Sequence, residues 1–224
     1  MGIKTNNIVI LGADKRLSTY KNKKISDDND KILVVNNHLA MACAGNAAIQ
    51  KAIEIDIDKL NTNKELLYIE DVLEVIEEMY SKLKKTKVDC MLSRSSYVII
   101  GGLNKKREMK LISVSLVDGI LHWSEVVEDK MIYPPCDVSM KKTAEIFVKN
   151  LSLYPEMVIE KTVADISKIS VVVSKNGNKW IYDNRSKMSE KREFDNKSIL
   201  GYVIRKKIGG LHKLVRQKQK LNIC

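Results

Sequence analysis

The run from Ile8 to Gly45 restricts the fold more than any other part of the chain. NIVILGAD is a β-branched apolar run ending in Gly12, Ala13 and a charged turn, the pattern of a strand. KILVVNNHLAMACAG reads as two further strands joined at Asn36-Asn37, a dipeptide that tolerates left-handed backbone. Together these segments open an antiparallel sheet. In AAIQKAIEIDIDKL the period changes: Ile49, Ala52, Ile53, Asp56 and Ile57 recur at spacings of three and four, as in a helix. YIEDVLEVIEEMYSKLKK is plainer still, with Ile69, Val72, Leu73, Ile76, Met79, Tyr80 and Leu83 on one stripe. Glu78 precedes Lys82 by four on the same helix, a supporting ion-pair spacing.

Strands return in YVIIGGLNKKREMKLISVSLVDG, two apolar arms around a charged loop, and in ILHWSEV and DKMIYPP, the latter stopped by Pro134-Pro135. Residues 141–150 and 155–163 suit helices, and KISVVVSKNGNKWIYD suits a hairpin turned at Asn176-Gly177. Strands, two helices, strands, two helices, strands describe an α+β domain rather than repeated βαβ units. There is no internal repeat and no low-complexity linker before residue 184.

The charge is unevenly placed. Residues 184–224 hold twelve Lys or Arg against three Asp or Glu, so +9 of the +11 net charge lies there. The expected organisation is therefore a near-neutral domain over 1–183 and a basic, partly helical tail over 184–224. A 44% hydrophobic content with three prolines fits a globular chain rather than a disordered one. No window reaches the roughly 18 consecutive apolar residues of a membrane span, and MGIKTNN has no apolar signal core. Cys43, Cys90, Cys136 and Cys224 are scattered, without CxxC or a histidine at metal-ligand spacing. That pattern fits reduced thiols in a cytoplasmic protein and implies neither metal nor cofactor.

GIKTNNIVILGADKR, the KI ahead of the second strand, NNHLAMACAG and the helix after it resemble the proteasome subunit family of N-terminal-nucleophile hydrolases. YVIIGGLNKKREMKLISVSLVDG is similar to that family's later hairpin, whose first strand ends in Gly-Gly. The resemblance runs from Gly2 to about Asp183 and is most specific over the first 45 residues. It implies a four-layer αββα sandwich, two stacked antiparallel sheets covered on each outer side by a helix pair. It also implies homo- or hetero-oligomeric assembly into rings and, in active subunits, hydrolysis of polypeptides by an N-terminal threonine.

The chemistry sets what such a site needs. A threonine hydroxyl reacts only if a base takes its proton, and the α-amine of an N-terminal residue can do so. A nearby lysine lowers the pKa of its neighbours, an acid orients that lysine, and a glycine N–H meets the developing oxyanion. The resemblance places Lys31 at the family's active-site lysine, Asp14 at the paired acid, Arg16 at the adjacent arginine and Gly45 at the oxyanion-hole glycine. One extra residue separates Asp14 from Lys31 compared with the family spacing.

The nucleophile of this supporting shell does not lie in the chain. The family's threonine stands about four residues ahead of the glycine matching Gly2, where only Met1 remains, and Thr5 lies too far inside the first strand pair. Tyr133-Pro134-Pro135-Cys136-Asp137 stands where a serine and glycine cluster is expected, and Asp165 and Ser167 lie near, but out of register with, a further Asp and Ser. Two readings stay open: a non-catalytic relative that keeps the fold and assembly, or a threonine peptidase whose nucleophile lies upstream of Met1. Plainer roles compete for the same residues. Asp14 and Arg16 can end a strand as a surface pair, Gly45 can be a strand-to-helix glycine, Cys43 a buried thiol and His122 an ordinary strand residue. The tail is a third possibility, contacting a subunit or, through Arg205, Lys206, Lys207, Lys213 and Arg216, nucleic acid. Tyr202 is its one aromatic after Phe194, which leaves little for base stacking.

Overall fold

The computed structural model describes residues 1–195 apart from 20, 64–65, 86–94, 118, 128–130, 133–135, 152 and 154. The tail cations Arg205, Lys206, Lys207, Lys213 and Arg216 lie outside the described residues. Two five-stranded antiparallel sheets form the centre. The first has the order β10-β1-β2-β11-β12: Met131–Ile132, Gly2–Lys4, Ile8–Asp14, Gly177–Asp183 and Met188–Phe194. The second runs β5 to β9 in sequence order: Ile32–Asn36, Leu39–Gly45, Ser96–Leu103, Met109–Val117 and Ile120–Glu125. A small ribbon pairs β3 (Leu17–Ser18) with β4 (Lys24–Ser26). Four helices complete the described fold: α1 Ala47–Asn63, α2 Ile69–Lys85, α3 Met140–Asn150 and α4 Pro155–Ile166. Sheets and helices in this arrangement make it an α+β protein.

The period-two alternation of each strand decides which core its side chains enter. On β6, Leu39, Met41 and Cys43 join a cluster with Ile49, Ile53 and Ile57 of α1 and Val72, Ile76 and Met79 of α2. Ala40 and Ala42, between them, point the other way and meet Val9 and Leu11 of β2 with Trp180 and Tyr182 of β11. Ile10 and Ile181, the alternate residues of the first sheet, pack with Phe147 of α3 and Val158, Ile159 and Val163 of α4. Alanines make up the inter-sheet side of β6, and β7 adds Gly101 between Ile99 and Leu103, where the facing side chains are large. A Cβ on Gly101 of β7 would stand 2.6 Å from Val9 Cγ1 and 3.3 Å from Leu11 Cδ2.

Three local expectations are corrected. The β5–β6 turn is Asn37-His38 rather than Asn36-Asn37; neither asparagine has left-handed backbone, and Asn36, the last residue of β5, acts through its side chain. Asn36 Oδ1 accepts from His38 N–H at 3.0 Å, and its amide donates to the Leu67 carbonyl at 2.8 Å. KISVVV forms no strand; residues 167–176 are turns and bends, and β11 instead pairs with β12 around a turn where Lys187 has φ 59°. The residues of β12 fall in the stretch assigned to the basic tail, yet Met188–Phe194 pair along the whole of β11. A run of mixed charge (Glu190, Lys191, Arg192, Glu193) hides this strand, which is an exposed sheet edge.

Gly101→Ala is expected to cost about 1–3 kcal/mol by overpacking the two sheets. A fall in the urea midpoint without a change in slope would show it.

Candidate functional site

β1 and β2 run antiparallel with Gly2 opposite Leu11 and Lys4 opposite Val9. The ladder continues to the chain's first residue: the Met1 amine donates to the Gly12 carbonyl at 2.7 Å, and Gly12 N–H donates to the Met1 carbonyl at 2.9 Å. Asp14 closes β2 two residues beyond that pair. Lys31 stands just ahead of β5, where its carbonyl accepts Cys43 N–H from β6 at 2.9 Å. Its Nζ then reaches Asp14 Oδ2 at 2.9 Å, with both side chains 15% exposed.

The other Asp14 oxygen is occupied too. Oδ1 accepts Arg16 N–H at 2.8 Å and Ser174 N–H at 3.2 Å. With three donors around it, the carboxylate cannot rotate without losing a bond. Asp14 and Lys31 thus meet in the cleft that Met1 also lines.

Arg16 meets this pair through its backbone alone. Its guanidinium forms a fork on Asp27, 2.7 Å from Nε and 3.1 Å from Nη2, and Nη1 donates to the Val171 carbonyl at 2.9 Å. The fork holds the Asp27 carboxyl down to about 2, with Lys24 assisting. Gly45 ends β6 at φ 97°, where a Cβ would lie 2.3 Å from the Ser95 carbonyl oxygen. Glycine is required there by backbone geometry alone. The turn it makes starts α1, whose N-terminus is capped by Asn46 Oδ1 accepting from Ala48 N–H at 3.0 Å.

Met1, Asp14, Lys31 and Gly45 line one cleft of about 900 Å³, within the usual size of a ligand site. Its walls also carry Arg16, Ala47, Gln50, Tyr97, Cys136 and Asp137, and Val172 and Val173 from the segment before β11.

Several sequence candidates lie elsewhere. Thr5 caps the β1–β2 turn, its hydroxyl oxygen accepting Ile8 N–H at 3.2 Å. Asp165 is tied to Lys161 and Lys168 at 2.6 and 2.7 Å, and Ser167 bonds back to Ala164 at 2.8 Å. Cys43 borders the cleft, but burial pushes its thiol up to about 12, against any nucleophilic role. His38 is engaged with the Leu67 carbonyl at 3.1 Å and packs on Tyr68, and His122 is exposed on β9. Tyr133, Pro134 and Pro135 lie outside the described residues, whereas Cys136 and Asp137 stand in the cleft wall.

Sequence reasoning missed the partners that come from far along the chain. Ser174 reaches Asp14 across 160 positions, and Asp137 holds Ser170 and Val171 across more than thirty. No spacing rule marks contacts of that range. The described residues hold no group of three or more His, Cys, Asp or Glu placed to bind a metal, and no helix among them is long and apolar enough to cross a membrane.

Burial dominates the Met1 amine. It is lowered to about 5, first by desolvation, with Asp14 opposing and Lys31 adding to the shift. An amine held neutral in the folded state disfavours folding wherever the unfolded amine is protonated. A chain with a free Met1 amine should therefore gain stability as pH rises from about 5 to 8 and level off above it, by on the order of 4 kcal/mol. Denaturant titrations across that window, beside an Nα-acetylated control lacking this contribution, would measure it.

A family model described as Proteasome subunit matches residues 1–123. No curated protein matches the chain.

Proposed function

The chain belongs to the proteasome subunit family, and on that premise we propose an oligomer-forming subunit whose cleft is the supporting shell of an N-terminal-nucleophile peptidase. The observation that carries this reading is the Lys31–Asp14 contact at 2.9 Å in the same cleft as Met1. The register of β1 on β2 adds direction. Each residue further back on β1 pairs one residue further along β2, so two residues ahead of Met1 the chain would come opposite Asp14. A threonine carried there would have Lys31 beside it and the turn at Gly45 across the cleft.

In that arrangement the α-amine takes the hydroxyl proton and the oxygen attacks a peptide carbonyl. The Gly45 N–H meets the oxyanion; collapse of the adduct breaks the C–N bond, the departing amine taking the proton held by the α-amine, and water then hydrolyses the resulting ester, releasing the acid and restoring the hydroxyl. The Lys31 ammonium keeps the amine neutral by repulsion, and Asp14 keeps Lys31 in place. The layering proposed with this function is helix pair, sheet, sheet, helix pair, which the three separate apolar clusters support. Family subunits assemble, so homo- or hetero-oligomeric rings and a cytoplasmic setting are part of the same proposal.

A non-catalytic subunit is the second reading. It is favoured by residues 133–137, where Cys136 and Asp137 stand in the cleft wall in a stretch expected to hold a serine and glycine cluster. The mass of the mature N-terminus separates the two. A threonine ahead of Met1 supports the peptidase, and a mature chain starting at Met1 or Gly2 supports the assembly subunit. A monomer at micromolar concentration in sedimentation, with no partner recovered from cells, would sink both.

For the peptidase, Lys31→Ala is expected to lower kcat by about a hundredfold or more. The fold should lose no more than about 2 kcal/mol, because Asp14 retains two backbone donors. Peptide hydrolysis and thermal melting on the same preparation test both halves of that statement.

A further inference from the structure

Residues 167–176 cross from α4 to β11 without regular secondary structure, so most of their backbone groups have no ladder to satisfy them. What holds the segment instead is a carboxylate from the approach to α3. Asp137 Oδ2 accepts Val171 N–H at 2.8 Å, and Oδ1 accepts the Ser170 hydroxyl. The Ser170 oxygen in turn accepts Val172 N–H at 3.1 Å and Val173 N–H at 3.0 Å, so its bonding capacity is used in full. From the opposite side Arg16 Nη1 grips the Val171 carbonyl, and three residues on Ser174 N–H meets Asp14 Oδ1.

We infer that Asp137 is a positioning residue for the Asp14–Lys31 pair, anchoring the 170–174 segment so that Ser174 N–H holds one Asp14 oxygen and leaves the other for Lys31. The chemistry favours a carboxylate in this role. Only an ionised acid offers strong acceptors to a hydroxyl and an N–H at once, and charge-assisted bonds are about twice as strong as neutral ones. Ser170 and Ser174 are both buried, so water does not replace the lost acceptor cheaply. Without Asp137 the Ser170 hydroxyl and the Val171 N–H lose their acceptor together, and the Val172 and Val173 N–H groups that Ser170 holds lose their anchor. The next bonds are those of Ser174, whose N–H donates to Asp14 and whose hydroxyl oxygen accepts Lys15 N–H. What the Asp14–Lys31 pair is for rests on the proposed function; the chain of bonds stands without it.

Amide hydrogen exchange and the carboxyl ¹³C resonance of Asp14 test the inference in the full chain, comparing wild type with Asp137→Ala and Asp137→Asn. The expected result is exchange at Ser174 faster by about tenfold or more in Asp137→Ala. Asp137→Asn, whose amide oxygen still accepts one donor, should fall between that variant and wild type. The Asp14 resonance should move in the same order, while Trp180 and Ile181 of β11 keep their protection. Unchanged Ser174 exchange and an unmoved Asp14 resonance in Asp137→Ala overturn the inference. So does loosening of β11 to the same extent, which makes the residue merely structural. Should Asp137→Ala fail to fold, Asp137→Asn is judged by the same two signals. A wild type without peptidase activity favours the non-catalytic reading and leaves this result standing; an unmoved Asp14 resonance in an active protein refutes only this inference.

Discussion

Everything at this site is referred to one carboxylate. Asp14 ends β2, and its two oxygens collect a side-chain ammonium from the approach to β5, a backbone N–H two residues on, and another from the segment before β11. Two of these bonds join Asp14 to parts of the chain far from it in sequence. A carboxylate and an ammonium that are mostly shielded from water cost solvation to bring together, and the net gain of such a pair is small. Its value is geometric. Removing Lys31 leaves Asp14 with its two backbone donors and no counter-charge, so the arrangement is preferred over near alternatives.

That geometry depends in turn on how the two sheets meet. Ala40, Ala42 and Gly101 supply the shallow side of the contact, and Val9, Leu11, Trp180 and Tyr182 the deep side. Close packing of unlike surfaces sets the spacing between β2 and β6, and hence the distance from Asp14 to the turn at Gly45. A buried ion pair between Lys179 of β11 and Glu160 of α4 holds the other face of the first sheet to its helix. The cleft is a gap left between these fixed bodies.

Much of this was legible in the chain's spelling, and the reason is locality. NIVILGAD, the α2 stripe and the arms of the β7–β8 hairpin declare themselves because period two and period 3.6 are properties of neighbours. Asp14, Lys31 and Gly45 were placed by the resemblance of the segments around them to the family's motifs, not by any periodicity of their own. Illegible parts are those where a distant group overrides local preference. KISVVV has the composition of a strand, but its backbone is taken by Asp137, Arg16 and the Ser170 hydroxyl and never reaches a ladder. β12 fails the other way: its mixed charges look like solvated tail, and only the open edge of β11 makes it a strand. Arg16 was assigned to the right neighbourhood for an incomplete reason, since Asp27 and Val171 claim its side chain.

The edge position of β12 has a consequence for whatever follows it. Phe194 pairs with Gly177, and Gly177 pairs with Asp14 on its other side. Two strand spacings, about 10 Å, separate the point where the polypeptide leaves the sheet from the acid at the cleft. The Lys15–Glu193 ion pair at 2.6 Å ties that exit to the residue next to Asp14. A tag, dye or fusion joined soon after residue 195 would therefore sit at the doorway of the cavity rather than at a remote pole of the molecule.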